Sequence, residues 1–210
     1  CVWCPDWPVV VARRAAPMVT AHPVAVMERG RRGLVVRAAS REARAEGVTR
    51  GLRRREAEAR CPGLTVLDVD LAAEARAFEA VARATELITP GVVLERPGVL
   101  TFPTRGPARY FGGDDPLGRR VLTAFDEIGV GDARVGVADG PFAAGLAARR
   151  APPGGVSVVA PGDTPAFLAP WPVAVLDDVE LTTLLRRLGL AQLGDFCLLY
   201  TSDAADDLTR

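Results

Sequence analysis

Residues 39–62 read Ala39-Ser40-Arg41-Glu42-Ala43-Arg44-Ala45-Glu46-Gly47-Val48-Thr49-Arg50-Gly51-Leu52-Arg53-Arg54-Arg55-Glu56-Ala57-Glu58-Ala59-Arg60-Cys61-Pro62. Ser40 suits a helix N-cap, because its hydroxyl can accept from amides that lack a partner in the first turn. Glu42 then sits where the helix dipole favours an acid, and Gly47 can end the helix in a left-handed conformation. Arg53 to Cys61 reads as a second short helix, supported by Glu56 and Arg60 four residues apart and closed before Pro62. Between Arg29 and Arg60 there are 11 Arg against 4 Glu, a local charge of +7 in a chain of formal net charge zero. The remainder carries −7, so one segment alone is suited to a polyanion. Phosphate contacts and a plain solvated helix face both remain open for Arg53, Arg54 and Arg55.

The 210 residues, 49% hydrophobic, are enough for one large or two small folded domains. All 26 basic residues are Arg, Asn is absent, and Ile occurs only at 88 and 128. That bias matches a GC-rich genome and weakens any argument from Arg over Lys. Cys1-x-x-Cys4 is half a zinc motif, but no second pair follows and the lone His22 precedes Pro23, so no metal site is expected. Four Cys in a chain of this size do not make a disulfide scaffold, and no run reaches membrane-spanning length, so a cytoplasmic protein is expected. Residues 197–210 break the composition abruptly and resemble a translated sequencing adapter. They are set aside as a non-native tail, with a genuine polar tail as the alternative, and the chain is expected to be a fragment.

Strands are expected at Val2-Trp3, Pro23–Met27, Leu34–Ala38, Leu64–Val69, Val92–Glu95, Val99–Phe102 and Arg134–Ala138. Trp7-Pro8 leads into an apolar stretch to Ala12. A long helix follows Asp70, with Leu71, Ala75, Phe78, Ala82 and Thr85 inward. Asp115-Pro116 starts another, with Leu117, Val121, Leu122, Phe125 and Ile128 inward. Asp114-Asp115 and Asp177-Asp178 read as helix starts rather than metal pairs. A small-residue helix runs from Pro141 to about Arg150, and 160–170 and 177–190 are helical. The order suits an α+β fold with a ferredoxin-like sheet backed by helices.

Ser40-Arg41-Glu42-Ala43-Arg44-x-x-Gly47-Val48 resembles the S-Y-E-A-R-x-x-G-V of Y-family (UmuC/DinB-type) translesion DNA polymerases. Gly51-Leu52, Glu56-Ala57, Cys61-Pro62 and Leu64 continue the likeness, as do Val135–Ala138, Phe167–Val173 and Leu188–Asp195. The resemblance implies a palm at 1–14 and 66–159, an inserted fingers subdomain at 15–65, and a truncated helix-hairpin-helix thumb at 160–196. It also implies phosphate or DNA contacts by Arg41, Arg44, Arg53, Arg54 and Arg55, and by the amides of Gly189 and Gly194.

The same resemblance implies a D-x-D motif and a D-E pair holding two Mg²⁺ ions for nucleotidyl transfer. Here those positions fall on Cys4, Asp6, Pro97 and Gly98. A thiol is a poor Mg²⁺ ligand and Pro97-Gly98 offer no side-chain oxygen. The family Tyr is Arg41, and the later N-K pair is Gly140-Pro141. Three sites departing together imply lost catalysis, with no cofactor; Mg²⁺ enters only if the chain is an active error-prone polymerase. Trp3–Pro8 and Pro103–Gly112 resemble the ImuB branch, of actinobacterial type. That likeness implies a non-catalytic adaptor working with DNA, the sliding clamp, an error-prone replicative-type polymerase subunit and a RecA-like ImuA. Its partner-binding region would lie C-terminal to this stretch. A generic Arg-rich nucleic-acid-binding module is the remaining alternative. Tyr110-Phe111-Gly112 reads as packing and a turn or as a base-stacking platform. Trp3 and Trp7 read as core, with nucleotide stacking the alternative.

Overall fold

The structure, a computed structural model, describes residues 1–17, 22–31 and 33–195. The adapter-like tail and Cys197 lie outside the described residues. Two sheets organise the chain. The larger has the order β5-β6-β1-β7-β8, from β1 (Val2–Trp3), β5 (Val93–Arg96), β6 (Val99–Thr101), β7 (Arg134–Val137) and β8 (Val156–Val158). β1 is central, pairing antiparallel with β6 through Val2↔Leu100 and with β7 through Val2↔Val135.

Strand alternation explains how this sheet is covered. Val2, Leu100 and Val135 face a core completed by Phe78 and Val81 of α4 (Leu71–Glu86) and Leu117, Val121 and Phe125 of α6 (Asp114–Glu127). Gly136, next along β7, faces α7 (Pro141–Arg150) instead. A Cβ there would lie 2.1 Å from Ala144 O and Ala148 N, so only glycine lets the helix backbone rest on the strand.

The smaller sheet has the order β3-β2-β4, from β2 (Val24–Gly30), β3 (Gly33–Ala39) and β4 (Thr65–Asp68). β2 is buried on both faces. Val24 and Val26 pack with Val9 of α1 (Trp7–Ala15). Ala25 and Met27 pack with Ala43 of α2 (Arg41–Ala45) and Ala57 of α3 (Arg54–Arg60). β4 pairs parallel to β2 from Val24↔Thr65 to Met27↔Asp68, so a boundary between 65 and 66 falls inside a strand of this sheet. A third, smaller core of Val173, Leu185 and Leu190 joins a 3-10 turn (Val173–Leu176) to α9 (Val179–Arg187), and α8 (Thr164–Leu168) lies before it. Among the described residues no helix is long and apolar enough to cross a membrane.

The mixed α+β fold agrees with the expectation, and several local readings need correction. The stretch after Trp7 is a helix with Pro8 in its first turn, where a missing N–H costs nothing. Arg105–Phe111 is helical (α5), and β8 is a strand that the sequence pattern does not mark. On α4, Leu71 and Ala75 are exposed and Glu74 is buried; on α6, Ile128 lies at the exposed C-cap. The α6 cap is Gly113, while Asp115 binds Arg119 at 2.7 Å inside the first turn. In α3 the i,i+4 pair is Arg54–Glu58 at 2.7 Å. Glu56 instead accepts from the Arg53 amide, and Arg60 donates to Gly47 O.

Candidate phosphate and nucleic-acid interface

Between the two sheets lies a cleft of about 470 Å³. Its walls come from the chain before and at the start of α1 (Cys4, Asp6, Trp7), the β5–β6 turn (Arg96, Pro97, Gly98), the small sheet and α2 (Arg37, Arg44), Arg50, Glu74 and Arg149. Two segments that the sequence links only through a resemblance, around Asp6 and around Pro97-Gly98, are thus neighbours. The Cys4 amide donates to Gly98 O at 2.8 Å, closing them together.

Local structure positions each group. Ser40 caps α2 as expected, its hydroxyl accepting from the Ala43 amide at 3.3 Å. That aims Arg44, one turn later, across the cleft to Asp6. Arg44 Nη1 and Nη2 donate to Asp6 Oδ1 and Oδ2 at 2.6 and 2.8 Å, a two-pronged charge-assisted pair. Arg44 also donates to Ala39 O, which fixes the guanidinium plane. Asp6 itself has a left-handed backbone, φ 53°, one of two described non-glycine residues with positive φ. Arg13 of α1 reaches Glu42 of α2 at 3.0 Å. The Ser40 hydroxyl, the Glu42 backbone and Arg13 together bring the Glu42 carboxyl down to about 2.

Deeper in the cleft, Arg37 of β3 bridges Glu28 of β2 at 2.9 Å and Glu74 of α4 at 3.3 Å. The Glu74 side chain is only 3% exposed, and its second oxygen has no hydrogen-bond partner. Burial raises the Glu74 pKa against the pull of Arg37. Sequence reasoning missed Glu74 because it treated that helix face as apolar. Arg96 and Arg149 line the cleft without a carboxylate partner among the described residues, and Arg50 lies 3.8 Å from Asp177. Five arginines therefore face two carboxylates.

The resemblance implies a pair of divalent cations here, and the donors do not fit them. Cys4 is buried, and burial pushes its thiol up to about 12, so it stays neutral. Asp6 is held by Arg44, a cation already. Pro97 has no side-chain oxygen. A Cβ at Gly98, whose φ is 92°, would lie 2.9 Å from Trp7 Cβ, so no side chain fits there. Glu95 lines a different cavity, with Cys1 and Phe142, and accepts from Thr101 Oγ1 at 3.1 Å. Among the described residues no cluster of three His, Cys, Asp or Glu is placed to hold a metal.

The remaining expected site residues are dispersed. Arg41, Arg53, Arg54 and Arg55 are exposed and lie outside the cleft lining. Gly189 is the left-handed residue that ends α9, with its N–H on Arg186 O and that of Leu190 on Leu185 O. The Gly194 N–H donates to Ala169 O at 3.0 Å. Both amides are thus engaged internally. Trp7 is core, its Nε1 donating to Glu74 O at 3.0 Å; Trp3 lies against Arg134, 5.2 Å from its ring centre. Tyr110 is 84% exposed beside Phe111.

Comparison with known proteins agrees with this architecture. The chain is similar to DinB from Sulfolobus solfataricus, with a TM-score of 0.74 and 18% identity over 92% of this chain and 58% of that one. It is similar to an insertion ternary complex of Dbh DNA polymerase, with a TM-score of 0.77 and 18% identity over 92% and 58%. A post-insertion binary complex of Dbh gives 0.76 and 19% over 93% and 58%. The chain thus spans a little under three-fifths of the length of these relatives. No curated protein matches it. The profile of the impB/mucB/samB family matches residues 2–149, and the chain belongs to that family, with a Y-family DNA polymerase-type domain.

Proposed function

We propose that this chain is a non-catalytic, Y-family polymerase-type scaffold that binds DNA during damage tolerance. One observation carries the reading: where the family's carboxylates would gather metal, Arg44 is bound to Asp6 and Trp7 fills the space beside Gly98. In-line phosphoryl transfer relies on cations that bridge attacking and leaving oxygens, and a guanidinium tied to a carboxylate cannot take that place. The palm takes the large sheet, the fingers the small sheet to Asp68, and the thumb the helical unit from 160. The ImuB-like motifs at Trp3–Pro8 and Pro103–Gly112 favour the adaptor branch. Clamp, polymerase-subunit and ImuA contacts belong to that same reading.

DNA contact is assigned to the exposed Arg41, Arg53, Arg54 and Arg55, which meet phosphates without reading sequence. The test is primer extension with Mg²⁺ and with Mn²⁺ on this protein, beside a primer–template binding assay. The reading expects binding with no incorporation. Templated incorporation abolished by Asp6→Asn would overturn it.

A further inference from the structure

The short helix α5 carries a motif that the cleft does not use. Ala108 and Phe111 pack into the core of the large sheet, on the face opposite Trp3 and the cleft, and no residue of α5 lines the cleft. Tyr110, next to Phe111, is 84% exposed. Its ring meets that of Phe111 edge to face, with centroids 4.9 Å apart and planes at 85°, so a core-packed residue braces one edge of it. Helical side chains lean toward the N-terminus, which carries Tyr110 over the turn that holds Gly106. A Cβ at Gly106 would meet nothing within 4 Å, so this turn is bare. Arg105 and Arg109 share one side of α5, are exposed, and make no ion pair or hydrogen bond through their side chains among the described residues. The next acids in the chain, Asp114 and Asp115, stand in the first turn of α6, and Asp115 is already bound to Arg119 at 2.7 Å.

We propose that α5 is a platform for single-stranded nucleic acid, in which one unpaired base stacks on Tyr110 above Gly106 while Arg105 and Arg109 meet neighbouring phosphates. The platform belongs to the core of the large sheet, whereas α2 and α3 belong to that of the small sheet, so it adds a second contact to the DNA-binding reading. A base inside a duplex is covered on both faces by its neighbours, so only an unpaired one can lie on the ring. The contact is made through the face of the base, which every base has, and is therefore indifferent to sequence. A protein partner fits this surface less well. Tyr and Arg anchor protein interfaces from well-packed pockets closed to water, and here Arg105, Gly106 and Arg109 around Tyr110 are all exposed.

The test separates stacking from charge. A short labelled oligothymidylate and a blunt duplex of the same length are titrated by fluorescence anisotropy against wild type, Tyr110→Phe, Tyr110→Ala and the double variant Arg105→Ala/Arg109→Ala. Tyr110 lies outside the core, so its removal leaves the fold intact, which a thermal melt of each variant checks. Tyr110→Ala is expected to bind the oligothymidylate at least about fivefold more weakly, the low end of what one stacked base contributes. Tyr110→Phe keeps the ring and binds as wild type does, and duplex binding changes in neither. The double variant flattens the log–log salt dependence of oligothymidylate binding by about 0.7 for each phosphate no longer met. Equal oligothymidylate affinity in wild type and Tyr110→Ala overturns the proposal and leaves the patch to a protein partner. A loss as large in Tyr110→Phe, or one shared by the duplex, overturns it as well. Duplex binding without the Tyr110→Ala loss refutes the platform alone; failure of the wild type to bind either probe refutes the DNA-binding reading with it.

Discussion

Arg44 and Arg54 belong to the same arginine-rich stretch and both sit in short ion pairs, at 2.6 and 2.7 Å, yet they do different work. Arg54 pairs with Glu58 one turn away on the exposed face of α3. Arg44 pairs with Asp6 on another element, across a cleft that removes part of the water. The first pair lies in solvent, where an ion pair adds little and salt screens it. The second joins two elements across the cleft. Arg37 takes the difference further, because its partner Glu74 is buried and cannot be hydrated if the arginine is removed. Charge density alone therefore does not mark the arginines that shape the cleft; the element on the far side of the pair does.

The strongest way to break this comparison is to try to rebuild an acidic cleft. Gly98→Glu places a side chain 2.9 Å from Trp7 Cβ on a backbone with φ 92°. Overpacking and the unfavourable conformation together should cost about 2–4 kcal/mol in urea unfolding. A neutral effect would mean the turn has room for a metal ligand.

Arg37→Met comes next. It leaves Glu74 without its cation, and the destabilisation should be about 2–3 kcal/mol at neutral pH, at or below the low end of the buried-pair range because Arg37 is partly exposed. The Glu74 pKa is raised in the folded protein, so its ionised form is a penalty that appears as pH rises above the usual carboxylate range. The defect should therefore shrink when unfolding is repeated near pH 4. A defect independent of pH would remove Glu74 from the explanation.

Glu42 tests the cleft rim with the opposite sign. Its folded carboxyl titrates at about 2 against an ordinary value of 4.5. The stability it contributes is present above 4.5 and is lost as pH falls toward 2. Glu42→Gln should flatten that acid limb by less than about 1 kcal/mol, since the group is largely exposed and screened. An unchanged acid limb would show that the Arg13–Glu42 pair adds nothing.

The smallest stability effect is expected on the α3 face. Reversing Arg53, Arg54 and Arg55 to Glu should leave the thermal midpoint nearly unchanged. The salt dependence of DNA binding should flatten by about 0.9 in log–log slope for each phosphate that is no longer neutralised. An unaltered slope would make these arginines an ordinary solvated surface.

Local signals were legible in the sequence and distant ones were not. Ser40 capping α2 and the helix before Cys61-Pro62 follow from neighbours within one turn. The helix α1 was hidden because Trp7-Pro8 looks like a break, although proline is at home in a first turn. In α5, Gly106 and Pro107 masked the helix, and its start has no side-chain cap. Glu74 was hidden by lying on an otherwise apolar face, where its partner comes from a strand 37 residues earlier. The degenerate metal positions could be suspected from residue type. That Arg44 holds Asp6, 38 residues away, required the fold.

The central claim is that the cleft's cation is Arg44 and not a metal. Mn²⁺ prefers the same oxygen ligands as Mg²⁺ and its free form is read directly by electron paramagnetic resonance. In a titration of the protein with Mn²⁺, the account predicts that free Mn²⁺ tracks total Mn²⁺, with no saturable site, and that Asp6→Asn behaves identically. A saturable site that disappears in Asp6→Asn would contradict it and return the cleft to metal-dependent chemistry.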